Sequence, residues 1–326
     1  MHSQKFACAI VLSYRSPRFR IARVAPHTRR RSSRHTLTPM IRIGLALVWL
    51  LRLLPLALLR PLGRALGLLM HTLAGRRRNI AQTNLRLCFP EWSEAQRRAT
   101  VRQLFAATGA SLLERGILWW SSRDRIRRLV RIEGREHLDA VHDQPVILLA
   151  PHFVGLDMGG VRLTLDIRVA SVYGPQRNPV VDRLLLHGRT RFGNVNLISR
   201  KDGVRPIITA LRDKWPLYYL PDQDFGPRNA VFVPFFGVPA ATVTGLPRIA
   251  KMARAVVVPF VTRQVKNGYV AKFYPAWDNF PSGDVEADTA RMNAFIESVV
   301  REMPEQYYWL HRRFKTRPPG EPKLYG

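Results

Sequence analysis

The stretch PVILLAPHFVGLDMGG (145–160) decides the fold. VILLA is apolar at every position and is bounded by Pro145 and Pro151, the pattern of a strand buried on both faces rather than on one. The run ends at His152, and the residues after it take helical spacing and bring in Asp157, giving H-x-x-x-x-D. The same reading extends to IRVASVY (167–173), PLYYLP (216–221) and AVVVPFV (255–261), with helical patterns near 155–165, 178–191, 204–213 and 242–253. Doubly buried strands separated by helices imply a three-layer α/β domain, a mainly parallel sheet flanked by helices, over about 125–300 with a basic helical tail carrying it to residue 326.

Upstream, Ser93 and Gln96 fit a capping box that opens a helix within 76–124, on which Leu104, Leu112, Leu113 and Ile117 share an apolar face suited to core packing. Before that helical segment, 40–75 forms a hydrophobic unit, beginning IRIGLALVWLLRLLPLALL from Ile41. Arg42 and Arg52 interrupt the apolar run and Pro55 ends or kinks any helix through it, so a tilted or interfacial membrane anchor helix is as compatible as a full crossing. Residues 1–39 form a basic arm with nine Lys and Arg and no acid, and the abrupt change at Met40 marks a candidate initiator.

Charge narrows the partners. The chain has 52 Lys plus Arg against 23 Asp plus Glu, a formal +29, and the excess persists outside the arm. Such a balance implies polyanionic company: nucleic acid, anionic lipid, a phosphorylated glycolipid or an acidic carrier protein. Arg60, Arg64, Arg76, Arg77 and Arg78, following the apolar segment, favour the cytoplasmic side of a membrane. Cys8 and Cys88 alone supply neither a disulfide framework nor a Cys-based zinc site. The G-x-S-x-G elbow, the P-loop and the G-x-G-x-x-G fingerprint are all missing from the sequence, which removes the usual footing of hydrolase, nucleotide-hydrolysing and dinucleotide readings.

Ligands of an open α/β sheet gather beyond the carboxyl ends of its strands, where His152 falls. A carboxylate on Nδ1 fixes the tautomer that leaves Nε2 free to take a proton, and Asp157 is the expected partner. Such a dyad deprotonates an alcohol attacking a thioester without needing a Ser or Cys nucleophile.

Several separate stretches resemble the lipid A biosynthesis lauroyl/myristoyl acyltransferase family, the late acyltransferases of Gram-negative bacteria within the wider glycerolipid acyltransferase group. They are RRRNIAQTNLRLCFPE (76–91), APHFVGLD (150–157), YGPQRNPVVD (173–182), ISRKD (198–202), YLPDQDFGPRNAVFVPFFG (219–237) and EQYYWLHRRFKTRP (305–318). The resemblance implies a glycerol-3-phosphate acyltransferase-like fold, His152 as general base, Asp157 as its orienting acid, and Arg200 on substrate phosphate or on the developing oxyanion. Arg177, Arg189, Asp222, Asp224 and Arg228 are further substrate or oxyanion candidates, and Arg191 is weighed beside Arg189. Asp222 and Asp224 stand where the wider group often has P-E-G-T-R, a departure that leaves their roles open. Pro259 matches that group's fourth block, and an edge-strand proline explains it equally well. The tail, with His311, Arg312, Arg313, Lys315 and Arg317, is a candidate phosphate-binding element.

The resemblance further implies acyl carrier protein as donor, no cofactor, a hydroxyl of a phosphorylated, already acylated disaccharide as acceptor, and a place on the cytoplasmic face of a bacterial inner membrane. Two rivals carry distinct expectations. Asp222-Gln223-Asp224 could hold a divalent ion for a membrane glycosyltransferase, and the charge alone would suit a non-enzymatic nucleic-acid or membrane-binding protein. No nucleic-acid-binding signature accompanies that charge.

Overall fold

A computed structural model describes residues 39–176 and 178–325; residues 1–38, with nearly all of the basic arm and Cys8, and Arg177 lie outside the described residues. Pro55 divides the apolar segment as its chemistry requires, into helix α1 (Pro39–Leu51) and helix α2 (Leu56–Leu73). Among the described residues no helix is long and apolar enough to cross a membrane. Helix α3 (Gly75–Cys88) follows, and then the 27-residue α4 (Glu94–Trp120), which starts at the expected capping box: the Gln96 N–H donates to Ser93 Oγ and the Ser93 N–H to Gln96 Oε1.

Helices α2 and α4 pack backbone against backbone because glycines meet where they cross. A Cβ at Gly67 would lie 2.0 Å from the Phe105 carbonyl oxygen, and one at Gly109 would lie 2.3 Å from that of Gly63. The pair is tied to the sheet through Arg60, whose guanidinium donates to buried Glu114 (3.0 Å) and to the Lys266 and Gly268 carbonyls (2.9 and 3.1 Å), while the Tyr269 hydroxyl donates to the same Glu114. Removing one member of such a buried pair strands the other charge, at a cost of about 3–5 kcal/mol.

The α/β part continues α5 (Arg123–Leu129), β1 (Val130–Glu133), α6 (Arg135–Asp139), β2 (Val146–Leu149), α7 (Leu156–Leu163), β3 (Val169–Tyr173), α8 (Pro179–Thr190), β4 (Val195–Ser199), α9 (Arg205–Arg212) and β5 (Leu217–Tyr219). A hairpin of β6 (Ala230–Phe235) and β7 (Val238–Val243), then α10 (Gly245–Ala253), β8 (Val256–Val265), β9 (Gly268–Phe273) and α11 (Val285–Glu302) complete it. The main sheet has the order β1-β9-β8-β2-β5-β3-β4 and is parallel throughout except for β8 against β9, as a mainly parallel α/β reading requires.

Alternation along β2 shows why its run is wholly apolar. Ile147 and Leu149 enter a core with Ile207 and Leu211 of α9, Leu246 and Ile249 of α10 and Ile296 of α11, whereas Val146 and Leu148 face Met158 and Val161 of α7, Leu59 of α2 and Ile117 of α4. Each such side chain contributes about 1.5–3 kcal/mol by burial. Four expected strands and four expected helices are present within a few residues. The helix expected from 242 begins at Gly245, because 238–243 pairs with 230–235 instead.

Candidate active site

His152 lies just past the carboxyl end of β2, between β8 and β5 in the sheet, so its position follows from strand order. The turn that carries it is clamped from the other side by the C-terminal segment. The Val154 N–H donates to the Gln306 carbonyl, the Tyr308 N–H donates to the His152 carbonyl (2.9 Å each), and Phe153 and Tyr307 form a β-bridge. The stretch EQYYWLHRRF is therefore part of the scaffold of the site.

The carboxylate that holds His152 belongs to Asp222, in the loop after neighbouring strand β5. Its Oδ1 is 2.6 Å from His152 Nδ1 and its Oδ2 accepts the His152 backbone N–H at 2.9 Å. One carboxylate thus fixes both the ring and the backbone beneath it. The Tyr307 hydroxyl stands within electrostatic reach of Asp222. Burial alone would push the Asp222 carboxyl up, but His152 facing it and these hydrogen bonds hold it below its ordinary range, so it stays ionised. Nδ1–H must donate to a carboxylate, which leaves Nε2 as the base nitrogen.

The expectation that Asp157 orients this ring is corrected by the geometry. Asp157, in the first turn of α7, is 2.9 Å from the Arg115 guanidinium of α4 and 3.0 Å from that of Arg189 at the end of α8. Burial opposes its ionisation, yet the two guanidiniums override that and hold it well below the usual carboxylate range. Its first-turn position adds the favourable end of the helix dipole. Arg115 had no signal of its own in the sequence, standing on a helix read as core packing.

Asp222 and Asp224 do not converge on a common point. Asp224 accepts from the Thr316 N–H (2.6 Å) and hydroxyl (2.8 Å), its backbone N–H donates to His311 Nε2 (3.0 Å), and Lys315 Nζ stands 3.8 Å away. It fastens the tail, so the D-x-D expected of a metal site is divided between two separate tasks.

The tail as a phosphate-binding element is corrected in part. Arg313 is buried, with its guanidinium donating to the Ala241 carbonyl, Thr242 Oγ1 and Asn293 Oδ1, and Arg312 stacks over Tyr325. Lys315 is exposed beside Asp224. Asn84, within the 76–91 motif, donates to the Trp309 and His311 carbonyls and so braces the same tail. Arg191 stacks on Phe192 and bonds to the Ser121 carbonyl, a structural use. Arg228 is exposed in the loop before β6, and Arg177 is outside the described residues. Pro259 sits within β8, registered against Leu149 of β2.

His152, Asp157, Arg189 and Arg200 line one open cavity of about 940 Å³, near the upper end of the roughly 300–1,000 Å³ common for ligand sites. Its walls come from both faces of the sheet: Leu156, Gly160 and Val161 of α7 with Tyr218 on one side, and Ile207 of α9 with Ile249 and Met252 of α10 on the other. An apolar trough with an imidazole at its throat and guanidiniums along it suits a greasy chain attached to an anionic head.

Comparison with known proteins agrees with that chemistry. The family model for bacterial lipid A biosynthesis acyltransferases matches residues 27–316. The chain is similar to the lipid A biosynthesis lauroyltransferase of Escherichia coli K12, 40% identical over 288 residues, which is 87% of this chain and 94% of that protein. A lipid A biosynthesis acyltransferase of Haemophilus influenzae is 36% identical over 284 residues (86% and 88%), and the lipid A biosynthesis palmitoleoyltransferase of Escherichia coli K12 is 33% identical over 287 (86% and 93%).

Proposed function

The chain belongs to the bacterial lipid A biosynthesis acyltransferase family, an acyltransferase of lipid A synthesis, and from that premise we propose that it moves a fatty acyl group from acyl carrier protein to a hydroxyl of a phosphorylated glycolipid precursor. The observation that carries the reading is the ring of His152, held on Nδ1 by Asp222 at 2.6 Å and opening onto the apolar cavity.

His152 Nε2 takes the proton of the acceptor hydroxyl as its oxygen attacks the thioester carbonyl. The C–O bond forms, the tetrahedral oxyanion collapses, the C–S bond breaks, and the imidazolium returns its proton to the departing thiolate. Asp222 steadies the positive charge that appears on the ring between these steps, and no covalent acyl-enzyme is required. Arg189, and Arg115 through the shared Asp157, present positive charge to the phosphate of the acceptor.

Attachment to the cytoplasmic face of the inner membrane belongs to the same proposal. Ile43, Leu47 and Leu50 of α1 and Leu58, Leu62, Leu69 and Leu73 of α2 are at least half exposed, an apolar surface next to many arginines that fits an anionic interface. Mass spectrometry of lipid A from cells with and without the gene tests the function: loss of one acyl mass is expected, and an unchanged profile overturns it. In the purified reaction His152→Ala abolishes transfer while the protein stays folded; transfer at the wild-type rate would overturn the mechanism.

A further inference from the structure

The cavity reaches the surface beside a strongly basic rim that the transfer chemistry does not use. Segments 200–212 and 245–254 carry seven cations, Arg200, Lys201, Arg205, Arg212, Arg248, Lys251 and Arg254, against the single acid Asp202. Arg200, Lys201, Arg205, Arg248 and Lys251 are all exposed. Among them stand exposed Val204 and Met252, which line the cavity together with Arg200 and Arg248. Arg248, Lys251 and Met252 are spaced i, i+3, i+4 and share one face of α10. Few acids, several cations and a small apolar centre around a cavity mouth make a surface complementary to an acidic protein.

This rim and the apolar surface of α1 and the start of α2 belong to opposite faces of the sheet. Ile207 of α9 and Ile249 of α10 sit in one core, whereas Leu51, Leu54, Leu56 and Leu59 pack into the other, with α7. On that second face Trp119 of α4 meets Gly188 of α8, next to the Arg189 that closes on Asp157. The cavity connects the two faces past His152.

We infer that the rim formed by Lys201, Arg205, Arg248 and Lys251 is the docking surface for the acidic acyl carrier protein, so that the thioester enters from the α9–α10 face while the glycolipid enters from the α7–α8 face. The inference rests on the carrier-dependent transfer proposed above and adds where the carrier sits. Two substrates that enter from opposite faces need not displace one another, and a ternary complex around one imidazole becomes geometrically open.

The test uses the full-length K201E/R205E/K251E protein, none of whose changed residues lines the cavity. Two donors are compared: acyl carrier protein loaded with a lauroyl chain, and lauroyl-pantetheine, which has the same thioester and no protein. The expected result is a KM for the loaded carrier raised at least tenfold with kcat retained, a flatter salt dependence, and unchanged turnover of lauroyl-pantetheine. An unchanged KM for the carrier overturns the inference, as does an equal loss with both donors. Loss of binding to phosphatidylglycerol vesicles with carrier KM intact overturns it too, assigning the rim to the bilayer. Failure of the wild-type protein to use the loaded carrier at all overturns the donor reading itself, which separates the two claims.

Discussion

Two carboxylates stand by the catalytic ring and its cavity, Asp157 lining the cavity and Asp222 buried behind His152, and they are held in opposite ways. Asp222 is buried against an imidazole, a tyrosine hydroxyl and a backbone N–H, whereas Asp157 is gripped by two guanidiniums. The first environment suits a carboxylate that answers a charge appearing and vanishing on its neighbour during each turnover. The second neutralises a permanent charge with permanent charges, and its effect is to aim arginines. Distance along the chain predicted the reverse: Asp157 is five residues from His152, and Asp222 seventy.

Mutation can break this comparison. The largest expected effect is that of Asp222→Asn, which removes the partner that fixes the tautomer and stabilises the imidazolium: kcat falls about 10²–10⁴-fold, with KM for both substrates little changed. Asp157→Asn, by contrast, should raise KM for the phosphorylated acceptor about tenfold, the effect of one misplaced charge-assisted contact worth about 1.4 kcal/mol, and leave kcat near the wild-type value. If Asp157→Asn collapsed kcat while Asp222→Asn raised only the acceptor KM, the roles assigned from the geometry would be exchanged.

A smaller effect sharpens the Asp222 side. Tyr307→Phe deletes a hydroxyl near a carboxylate that keeps its contacts with His152. A drop in kcat of less than about tenfold is expected, below the roughly 1–1.5 kcal/mol of a full hydrogen bond. A structural role alone would lower the melting temperature without touching kcat, so steady-state kinetics paired with thermal denaturation separates the two.

What the sequence made legible follows the same division between local and distant. Strands β2, β3, β5 and β8 were readable because burial on both faces leaves them apolar at nearly every position. Strands β1 (VRIE) and β9 (GYVAKF) lie toward one side of the sheet and include the charged Arg131, Glu133 and Lys272, so neither carried that pattern. The largely apolar β6 and β7 form a hairpin outside the main sheet, which a reading of strands separated by helices does not reach. His152 was legible from its place after β2. Its true partner was not, because identifying Asp222 requires knowing that β5 lies beside β2, a fact of strand order rather than of spacing. The crossing of α2 with α4 did leave a trace, Gly63-x-x-x-Gly67 facing Gly109, within segments read as an anchor and an ordinary core helix.

The mildest prediction concerns the latch between Asp224 and the tail, which is fastened through Thr316, His311 and Lys315. Burial of His311 lowers its pKa to about 4, and the neutral ring accepts the Asp224 N–H. Because the unfolded chain takes up this proton near pH 6.5 and the folded one only near 4, the unfolded state binds more protons between those values. The latch therefore contributes fully above pH 6.5, and its contribution is lost progressively as the pH falls toward 4, by up to a few kcal/mol at about 1.4 kcal/mol per unit. Urea denaturation at pH 7 and pH 4.5 should show that slope in the wild type, and His311→Gln should lose part of it, with a lower starting stability. An unchanged slope in that variant would mean that the acid sensitivity originates elsewhere and that the latch holds without titrating. His152 would then be braced by a tail indifferent to pH.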